Sequence, residues 1–328
     1  MQLILCGIFC LDTGRGEPGF FNLSDKIWQR LDVGGSEGGM IVLLGASGYV
    51  GSAIAARLQQ LAAPFVAPSH RDLDLTSRDA VAAWFAGEKP EFVINAVGFT
   101  GRPNIDGTEI EKWRCLQANT IVPGVLAEVF GESGIRWGHV SSGCIFNGAR
   151  ADGSGFTEED EPEFVISDPR AGWYAHTKWM AERLLRDVPG VVVWRPRIPF
   201  ESRDNERNYL TKLMRYDRLL EVRNSISQLE EFAAATVQSL QDRIPGGIYN
   251  ATNPGSILTS EAVDALKRHG VCRKEFRFFS GEAEFLSHPG RVYRASCVLD
   301  PGKLAAHGIR MLDVHESLDK TLRAWKRA

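Results

Sequence analysis

The stretch Ile41–Gly51, with the sequence IVLLGASGYVG, decides the fold of this 328-residue chain. Four apolar residues run directly into a G-x-x-G-x-x-G turn, and apolar residues then recur with helical spacing from Tyr49 to Leu61. A strand, a glycine turn and a helix form a dinucleotide-binding unit, because glycines let the backbone approach a pyrophosphate at the helix N-terminus. The residues predicted to bind the dinucleotide in this turn are Gly45, Ser47, Gly48, Tyr49, Val50 and Gly51.

Apolar runs of strand length alternate with helical patterns along the rest of the chain. The further predicted strands are Phe65–Ala67, Phe92–Asn95, Gly138–Ser141 and Val191–Trp194. The further predicted helices are Asp79–Phe85, Trp113–Phe130, Tyr174–Leu185, Gln228–Gln241, Ser260–His269 and His315–Trp325. This alternation is typical of the α/β class. We predict a Rossmann-type, doubly wound parallel sheet over residues 40–198, and a smaller C-terminal substrate-binding lobe, interleaved with the end of the sheet, over residues 199–328.

Composition and charge favour a small-molecule partner. The chain has 38 Lys and Arg residues against 41 Asp and Glu, a net charge of −3, and 44% hydrophobic residues. A protein that binds nucleic acid needs a concentrated basic face, so no nucleic acid is expected. No run of about eighteen apolar residues exists, so no membrane span is predicted. The six cysteines include no C-x-x-C pair; a cytoplasmic location without disulfides or a metal site is expected.

Residues 1–39 differ from the rest of the chain. They carry none of the motifs and contain two glycine-rich runs, Gly14–Gly19 and Gly34–Gly39. We interpret them as a flexible N-terminal extension or as a mis-assigned start, because the α/β pattern begins at Met40. A chain that starts at Met40 is expected to keep its fold and activity.

The residues after the second strand select between NADH and NADPH. Enzymes that use NAD usually have an acidic residue there, which binds the ribose 2′-hydroxyl. Here Ser69 and Arg71 supply a hydroxyl and a guanidinium, which suit a 2′-phosphate. We predict NADPH, with NADH as the alternative, and add Asp74 to the predicted cofactor contacts. The competing interpretation is that Arg71 is an ordinary surface residue.

Tyr174 and Lys178 form the only Tyr-x-x-x-Lys in the chain. On a helix, residues four apart share a face, so the phenol and the ammonium can meet over a nicotinamide ring. The nearby cation is expected to lower the pKa of the phenol, and the lysine can also hold the ribose. Ser142 follows the fourth strand at the edge where ligands bind in such sheets. We predict that it contacts the same carbonyl oxygen as Tyr174.

Longer strings carry a family resemblance. They are Asn95–Asn104 (NAVGFTGRPN), Ser142–Phe146 (SGCIF), Arg195–Pro199 (RPRIP), Arg207–Lys212 (RNYLTK), Asn250–Gly255 (NATNPG) and Ser296–Leu304 (SCVLDPGKL). From about Met40 to the C-terminus, the chain resembles the extended short-chain dehydrogenase/reductases that act on nucleotide sugars. Within that family it is most similar to the bifunctional 3,5-epimerase/4-reductases that make nucleotide-linked L-rhamnose, and to the dTDP-4-dehydrorhamnose reductases.

The resemblance implies a role for each matching residue. Ser142, Tyr174 and Lys178 correspond to the reductase triad, and Cys144 and Lys212 to the pair associated with epimerisation. Further cofactor contacts are expected at Asn95, Ala96 and Val97. Substrate contacts are expected at Thr100, Arg102, Asn104, Ser142, Arg197 and Asn208, among which Arg102, Asn104 and Arg197 suit the diphosphate. The competing interpretations are a buried apolar role for Cys144, a solvated or phosphate-binding role for Lys212, and structural ion pairs for the arginines.

The chemistry of a 4-keto sugar agrees with these roles. Its C3 and C5 hydrogens are acidic because each lies beside the carbonyl, and the resulting enolate places negative charge on O4, within reach of Ser142 and Tyr174. Cys144 is the expected base and Lys212 the expected acid. We predict an NADPH-dependent 3,5-epimerase/4-reductase that makes nucleotide-L-rhamnose. The alternatives are a 4-reductase alone or a non-catalytic, cofactor-binding regulatory subunit. Uracil or thymine as the base stays open, and a homodimer is a family-level expectation.

Overall fold

The computed structural model describes residues 39–86 and 90–326. The predicted extension over residues 1–39 lies outside these residues except for its last position. In chain order the strands are β1 Ile41–Leu44, β2 Phe65–Val66, β3 Phe92–Asn95, β4 Trp137–Val140, β5 Val192–Arg195, β6 Pro199–Phe200, β7 Arg218–Leu219, β8 Arg223–Asn224, β9 Ser227–Gln228, β10 Gly247–Asn250, β11 Ile257–Leu258 and β12 Arg277–Phe278.

The α-helices are distributed over the whole described chain. They are α1 Tyr49–Gln60, α2 Arg78–Phe85, α3 Lys112–Leu116, α4 Val122–Ser133, α5 Trp173–Leu185, α6 Tyr209–Arg215, α7 Leu229–Gln241, α8 Thr259–Arg268, α9 Glu282–Leu286, α10 Gly302–Ala306 and α11 Val314–Arg323. Two 3₁₀ turns, Ile105–Glu109 and Gly143–Ile145, and a π-helical turn, Gln117–Ile121, complete the set.

Six parallel strands form the central sheet, in the order β10-β5-β4-β3-β1-β2. The chain leaves β1 toward β2 on one side and returns to β3 on the other, so the winding reverses between β1 and β3. In open parallel sheets, ligands bind at the carboxyl ends of the strands beside such a reversal. The predicted Rossmann-type, doubly wound parallel sheet is confirmed.

Strand β1 shows why this part of the sequence forms the centre of the sheet. Val42 and Leu44 pack on one face, in a cluster with Phe130, whereas Leu43 packs on the other face with Trp194. All five side chains are at most 1% exposed. Full burial of such a side chain contributes about 1.5–3 kcal/mol, so two apolar layers hold this strand from both sides.

The predicted helix Trp113–Phe130 is wrong in its continuity. The structure divides this stretch into α3, the π-helical turn Gln117–Ile121 and α4. In the π-turn the side chain of Asn119 pairs with both the amide and the carbonyl of Phe99, 20 residues away in sequence. Helical periodicity contains no information on this long-range contact.

The edge strand of the sheet beside β5 is β10, which comes late in the chain. Strand β10 was not predicted, yet it pairs in parallel with β5, with Ile248 opposite Val193. Helix α7, which precedes it, packs against α1 on the sheet. The residues between β5 and α7, with α8 and α11, surround a separate apolar cluster that includes Leu210, Leu266 and Leu318. The elements around this cluster therefore alternate along the chain with elements of the sheet.

Over residues 39–86 and 90–326, each helix is too short or too polar to cross a bilayer.

Candidate active site

The glycine turn between β1 and α1 is closed to side chains. Gly45 has a φ of +81°, and a Cβ atom on it would lie 2.8 Å from the amide nitrogen of Val97. A Cβ atom on Gly51 would lie 2.1 Å from the carbonyl oxygen of Gly45. No side chain caps the N-terminus of α1 at Gly48. The helix thus presents free amide groups, the donors that a pyrophosphate needs.

A cleft of about 1340 Å³ extends from this turn across the carboxyl edge of the sheet into the lobe. It is large enough for more than one small ligand. The predicted site residues that line it are Ser47, Gly48, Tyr49, Val50, Ala96, Val97, Thr100, Arg102, Asn104, Ser142, Cys144, Tyr174, Lys178, Arg197 and Lys212.

The turn after β2 contains an acidic residue that the sequence interpretation missed. The backbone amide and the hydroxyl of Ser69 both donate to the carboxylate of Asp72, at 2.9 and 2.6 Å. Asp74 accepts from the amide and hydroxyl of Thr76, so its carboxylate stabilises a turn, and the predicted contact of Asp74 with the cofactor is not supported. Arg71 is exposed in this turn and donates its backbone amide to Ser69.

Asn95 stabilises the loop that follows β3, which contains Ala96 and Val97. Its side chain is fully buried, accepts from the amide of Val97 at 3.0 Å and contacts Nδ1 of His139 at 3.1 Å. Both ends of the amide are therefore used within the protein, and Asn95 does not line the cleft. In the structure Asn95 shapes the loop that Ala96 and Val97 form, and its contact with the cofactor stays a prediction.

Tyr174 and Lys178 lie one turn apart on α5, and both line the cleft with Ser142. The ammonium of Lys178 is 3% exposed and donates to the carbonyl oxygen of Val140 at 3.0 Å. Burial lowers the pKa of Lys178 to about 8. The structure thus brings the three predicted triad residues together at the carboxyl end of β4.

The expected lowering of the Tyr174 pKa is not found. Burial is the largest influence and raises the pKa of Tyr174, whereas a hydrogen bond with Ser142 and the charge of Arg197 oppose it. A buried phenol resists ionisation because its anion loses hydration. Tyr174 is therefore neutral and carries the proton that an acid must give.

Asn119 is a site residue that the sequence interpretation missed. Besides holding Phe99, its amide donates to the hydroxyl of Thr177 on α5 at 3.1 Å. The side chain thus joins the loop after β3 to the helix that carries Tyr174 and Lys178. The signal that the sequence offered is a polar asparagine inside the predicted helix Trp113–Phe130. In the structure Asn119 is fully buried in a π-turn, and π-turns occur frequently at functional sites.

Cys144 and Lys212 reach the cleft from different parts of the chain. Cys144 lies in the 3₁₀ turn that follows Ser142, whose hydroxyl accepts from the Cys144 amide at 3.3 Å. Burial raises the pKa of the Cys144 thiol to about 11. Lys212 lies on α6 in the lobe, where burial and then the cations Arg207 and Arg294 lower its pKa to about 8.

Arg207 connects the lobe to the loop after β3. Its guanidinium donates to the hydroxyl of Thr100 and to the carbonyl of Gly101, both at 2.9 Å. Thr100 therefore contacts the lobe as well as the cleft. Arg102 lines the cleft as predicted and makes no ion pair within the described part of the chain. Asn104 lines it too, while its side chain caps the 3₁₀ turn Ile105–Glu109.

Asn208, a predicted substrate contact, is not among the residues that line the cleft. Asn208 is fully buried, and its side chain caps α6 through the amide of Leu210. Its amide group also donates to the carbonyls of Glu201 and Arg203. All of its polar atoms are used within the protein, so it fixes the start of the helix that carries Lys212.

A buried ion pair lies behind the triad. Glu182 on α5 binds Arg195 at the end of β5 at 2.6 Å, and their side chains are 4% and 1% exposed. Ser141 donates to the same carboxylate at 2.5 Å. This network fixes the residue next to Ser142, and sequence spacing did not indicate it.

Comparison with known proteins places this geometry in a family. The chain is 30% identical to a bifunctional dTDP-4-dehydrorhamnose 3,5-epimerase/reductase of Arabidopsis thaliana, over 85% of this chain and 91% of that protein. It is also 30% identical to the trifunctional UDP-glucose 4,6-dehydratase/UDP-4-keto-6-deoxy-D-glucose 3,5-epimerase/UDP-4-keto-L-rhamnose-reductase RHM3 of that plant, over 85% of this chain. The chain spans about two-fifths of the length of the trifunctional protein, 41%.

Solved structures share the fold. The UDP-rhamnose synthase L780 of Acanthamoeba polyphaga mimivirus superposes with a TM-score of 0.80 at 23% identity, over 88% of this chain and 99% of that one. A dTDP-4-dehydrorhamnose reductase of Bacillus anthracis in complex with NADP has a TM-score of 0.71 at 16% identity, over 88% and 98%. The family described as the RmlD substrate binding domain matches residues 39–252. Since this match covers more than half of the chain, the protein belongs to the RmlD substrate-binding family of extended short-chain dehydrogenase/reductases.

Proposed function

We propose that this protein is an NADPH-dependent 3,5-epimerase/4-reductase that converts a nucleotide-linked 4-keto-6-deoxyglucose to nucleotide-L-rhamnose. The nucleotide is a UDP or dTDP group. The same proposal assigns cofactor binding to residues 40–198 and a substrate-binding lobe to residues 199–328. The lobe contributes Lys212, while Thr100, Arg102, Asn104 and Ser142 reach the same cleft from the cofactor-binding part. The relatives named as rhamnose synthases and epimerase/reductases support rhamnose biosynthesis as the pathway.

One observation carries the proposal: a single cleft contains the reductase set and a second pair of proton-transfer groups. Ser142, Tyr174 and Lys178 lie at the sheet edge, while Cys144 and Lys212 come from the 3₁₀ turn and from the lobe. A plain reductase needs only the first set. Inversion of a carbon centre needs a base on one side and an acid on the other, which a thiol and an ammonium from separate elements can provide.

The bare glycine turn fits a dinucleotide, because Gly51 lets α1 pack closely against the backbone of Gly45 and no side chain caps the amides at the start of α1. The turn would hold the pyrophosphate, and Lys178 would hold the ribose. Ser69 and Arg71 support the choice of a 2′-phosphate, although Asp72 lies in the same turn. The chemistry that NADPH supplies when bound is hydride donation to the C4 carbonyl carbon.

Side chains of the protein carry out the proton transfers. Cys144 as thiolate removes the proton from C3 or C5, and the charge moves to O4, where Ser142 and Tyr174 donate hydrogen bonds. Lys212 returns a proton to the opposite face of the carbon. Its pKa of about 8 keeps it protonated at neutral pH yet makes it a competent acid. Tyr174 then gives its proton to O4 during reduction.

Incubation in D₂O without NADPH tests the epimerase half. The wild-type protein with UDP- or dTDP-4-keto-6-deoxyglucose is expected to introduce deuterium at C3 and C5, as read by NMR. Cys144→Ser is expected to lose this exchange by about 100-fold or more while still reducing the epimerised 4-keto-L-sugar with NADPH. Absence of deuterium at both carbons in the wild type would leave a 4-reductase only. No NADPH oxidation with either 4-keto sugar would refute the proposal entirely.

A further inference from the structure

Two arginines separated by one residue at the end of β5 have opposite electrostatic environments. Arg195 is paired with Glu182 through three hydrogen bonds. Arg197 is also buried, at 7% exposure, yet no carboxylate among the described residues lies within 4.0 Å of its guanidinium. A buried cation without a counter-ion is costly, because neither water nor an anion replaces its hydration shell.

The polar partners of Arg197 do not compensate its charge. Its Nη2 donates to the side-chain oxygen of Asn224 at 2.9 Å and to the carbonyl of Ala295. Its Nε is buried and has no hydrogen-bond partner in the described chain. The thiol of Cys297 also forms a hydrogen bond with the guanidinium. These contacts hold the guanidinium in place, and they leave its positive charge without a carboxylate at the wall of the cleft.

The side chain of Arg197 passes directly beneath the turn that carries Cys144. A Cβ atom on Gly143 would lie 3.5 Å from Cδ of Arg197, and the Gly143 amide donates to the carbonyl of Pro196 at 3.0 Å. The next residue, Ile198, has a φ of +40°, in the left-handed region that a β-branched residue rarely adopts. Such strain persists only where the surroundings impose it, so the position of Arg197 is strongly determined.

We propose that Arg197 is the built-in counter-charge of the Cys144 thiolate, and therefore a positioning residue for proton abstraction. This inference rests on the proposed epimerase function. It replaces the expected contact of Arg197 with the diphosphate, because the guanidinium is already committed to Asn224 and Ala295 inside the wall. Arg197 influences the thiols of both Cys144 and Cys297, and Cys144 is the one of the two that lines the cleft. The anion that Arg197 lacks is therefore formed when Cys144 ionises to act on substrate.

The charge changes during the reaction agree with this position. Cys144 as thiolate takes a proton from carbon and becomes a neutral thiol, while the electron pair of the broken C–H bond moves to O4 as the enolate. The negative charge thus moves from sulfur toward the Tyr174 hydroxyl. Arg197 lowers the pKa of both Cys144 and Tyr174, so one cation faces the start and the end of this transfer.

Other groups also influence the thiol. Lys178 on α5 acts in the same direction as Arg197, a hydrogen bond with Ser142 also favours the thiolate, and the thiol of Cys297 opposes ionisation. Tyr174 faces Cys144 as a neutral phenol, with its pKa raised by burial. Lys178 is needed to bind the cofactor and is fixed on Val140. Arg197 is therefore the cation in this set that can be removed without touching the proposed cofactor contact, and alkylation of Cys144 reports the thiol rather than the Tyr174 phenol.

The test is the pH dependence of Cys144 alkylation by iodoacetamide in the full chain, followed by mass spectrometry of the peptide that contains Cys144. In Arg197→Gln, the inflection is expected to move up by about one pH unit or more, which is about a tenfold slower reaction at a fixed pH below the inflection. Arg197→Lys keeps the charge and is expected to stay within a fraction of a unit of the wild type. Arg268→Gln, at an exposed arginine on α8, is the matched control and should change nothing.

Comparison of the two variants distinguishes an effect of the Arg197 charge from an effect of its packing. An inflection raised in Arg197→Gln and nearly unchanged in Arg197→Lys supports the proposal. An unchanged inflection in Arg197→Gln overturns it, as does an equal shift in both variants, which would indicate lost packing. If Arg197→Gln does not fold, the lysine variant decides: a shift as large as one unit overturns the proposal, and a wild-type inflection supports it.

The same samples distinguish this inference from the proposed function. Deuterium exchange at C3 and C5 reports epimerisation, whereas alkylation reports the thiol without any substrate. A wild-type protein that exchanges no deuterium but shows the Arg197-dependent inflection would refute the epimerase and retain the ion pair. A protein that exchanges deuterium without that dependence would refute the ion pair alone.

Discussion

The opposed pKa shifts of Cys144 and Lys212 predict an unusual pH profile for epimerisation. The perturbation is the pH of the D₂O incubation, between 6 and 10, with substrate below saturation. The reaction needs Cys144 deprotonated and Lys212 protonated. Because burial places the pKa of the thiol at about 11 and that of the ammonium at about 8, the two required forms coexist only as a small fraction of the protein.

The size of the effect follows from these two values. Below pH 8 the protonated Lys212 is nearly constant and the thiolate rises tenfold per pH unit, so the rate is expected to rise about 50-fold from pH 6 to pH 8. From pH 8 to pH 10 the gain in thiolate and the loss of protonated Lys212 cancel, and the rate is expected to change about twofold.

Deuterium incorporation at C3 and C5, measured by NMR at each pH, gives this profile directly. Lys212→Met is the informative comparison, because without the acid the residual rate should rise through pH 8 with no break. A rate that is constant between pH 6 and pH 8, or a break that persists in Lys212→Met, would contradict the assignment of base and acid.

Three further predictions concern the scaffold and the cofactor. Glu182→Gln leaves Arg195 buried and unpaired and should lower the free energy of unfolding by about 3–5 kcal/mol in guanidinium titrations, whereas Glu161→Gln, at an exposed pair, should cost less than about 1 kcal/mol. Arg71→Ala should weaken NADPH about tenfold in fluorescence titrations and leave NADH unchanged; equal losses for both would point to a structural effect. Gly51→Ala, whose Cβ atom would meet a backbone oxygen at 2.1 Å, should weaken both cofactors by tenfold or more.

Local patterns in the sequence predict the elements that depend on local chemistry. Helix α1 and strand β3 lie within one residue of their predicted bounds, because a glycine turn and a short apolar run are both local signals. The Tyr174–Lys178 spacing likewise identifies a shared helix face. Where the prediction depends on neighbours in sequence, the structure agrees with it.

Long-range contacts decide what the sequence interpretation missed. Asn95 and Asn208 lie in strings that carry the family resemblance, yet their side chains form hydrogen bonds within the protein. The partners in these hydrogen bonds are known only once the chain has folded. Asn119 breaks a predicted helix because of a partner 20 positions away. The isolation of Arg197 from carboxylates is also a tertiary property, since an arginine in a sequence carries no sign of its counter-ion.

Strand β10 has a consequence for how the protein is made. The edge of the sheet at β5 stays open until residues 247–250 leave the ribosome, after residues 199–246 of the lobe have been synthesised. A fragment that ends near residue 198 would leave the backbone groups of β5 unpaired and Trp194 uncovered by α7. Such an edge promotes aggregation. Cofactor binding by a separately expressed N-terminal half is therefore expected to fail for want of solubility, even though every glycine of the turn is present.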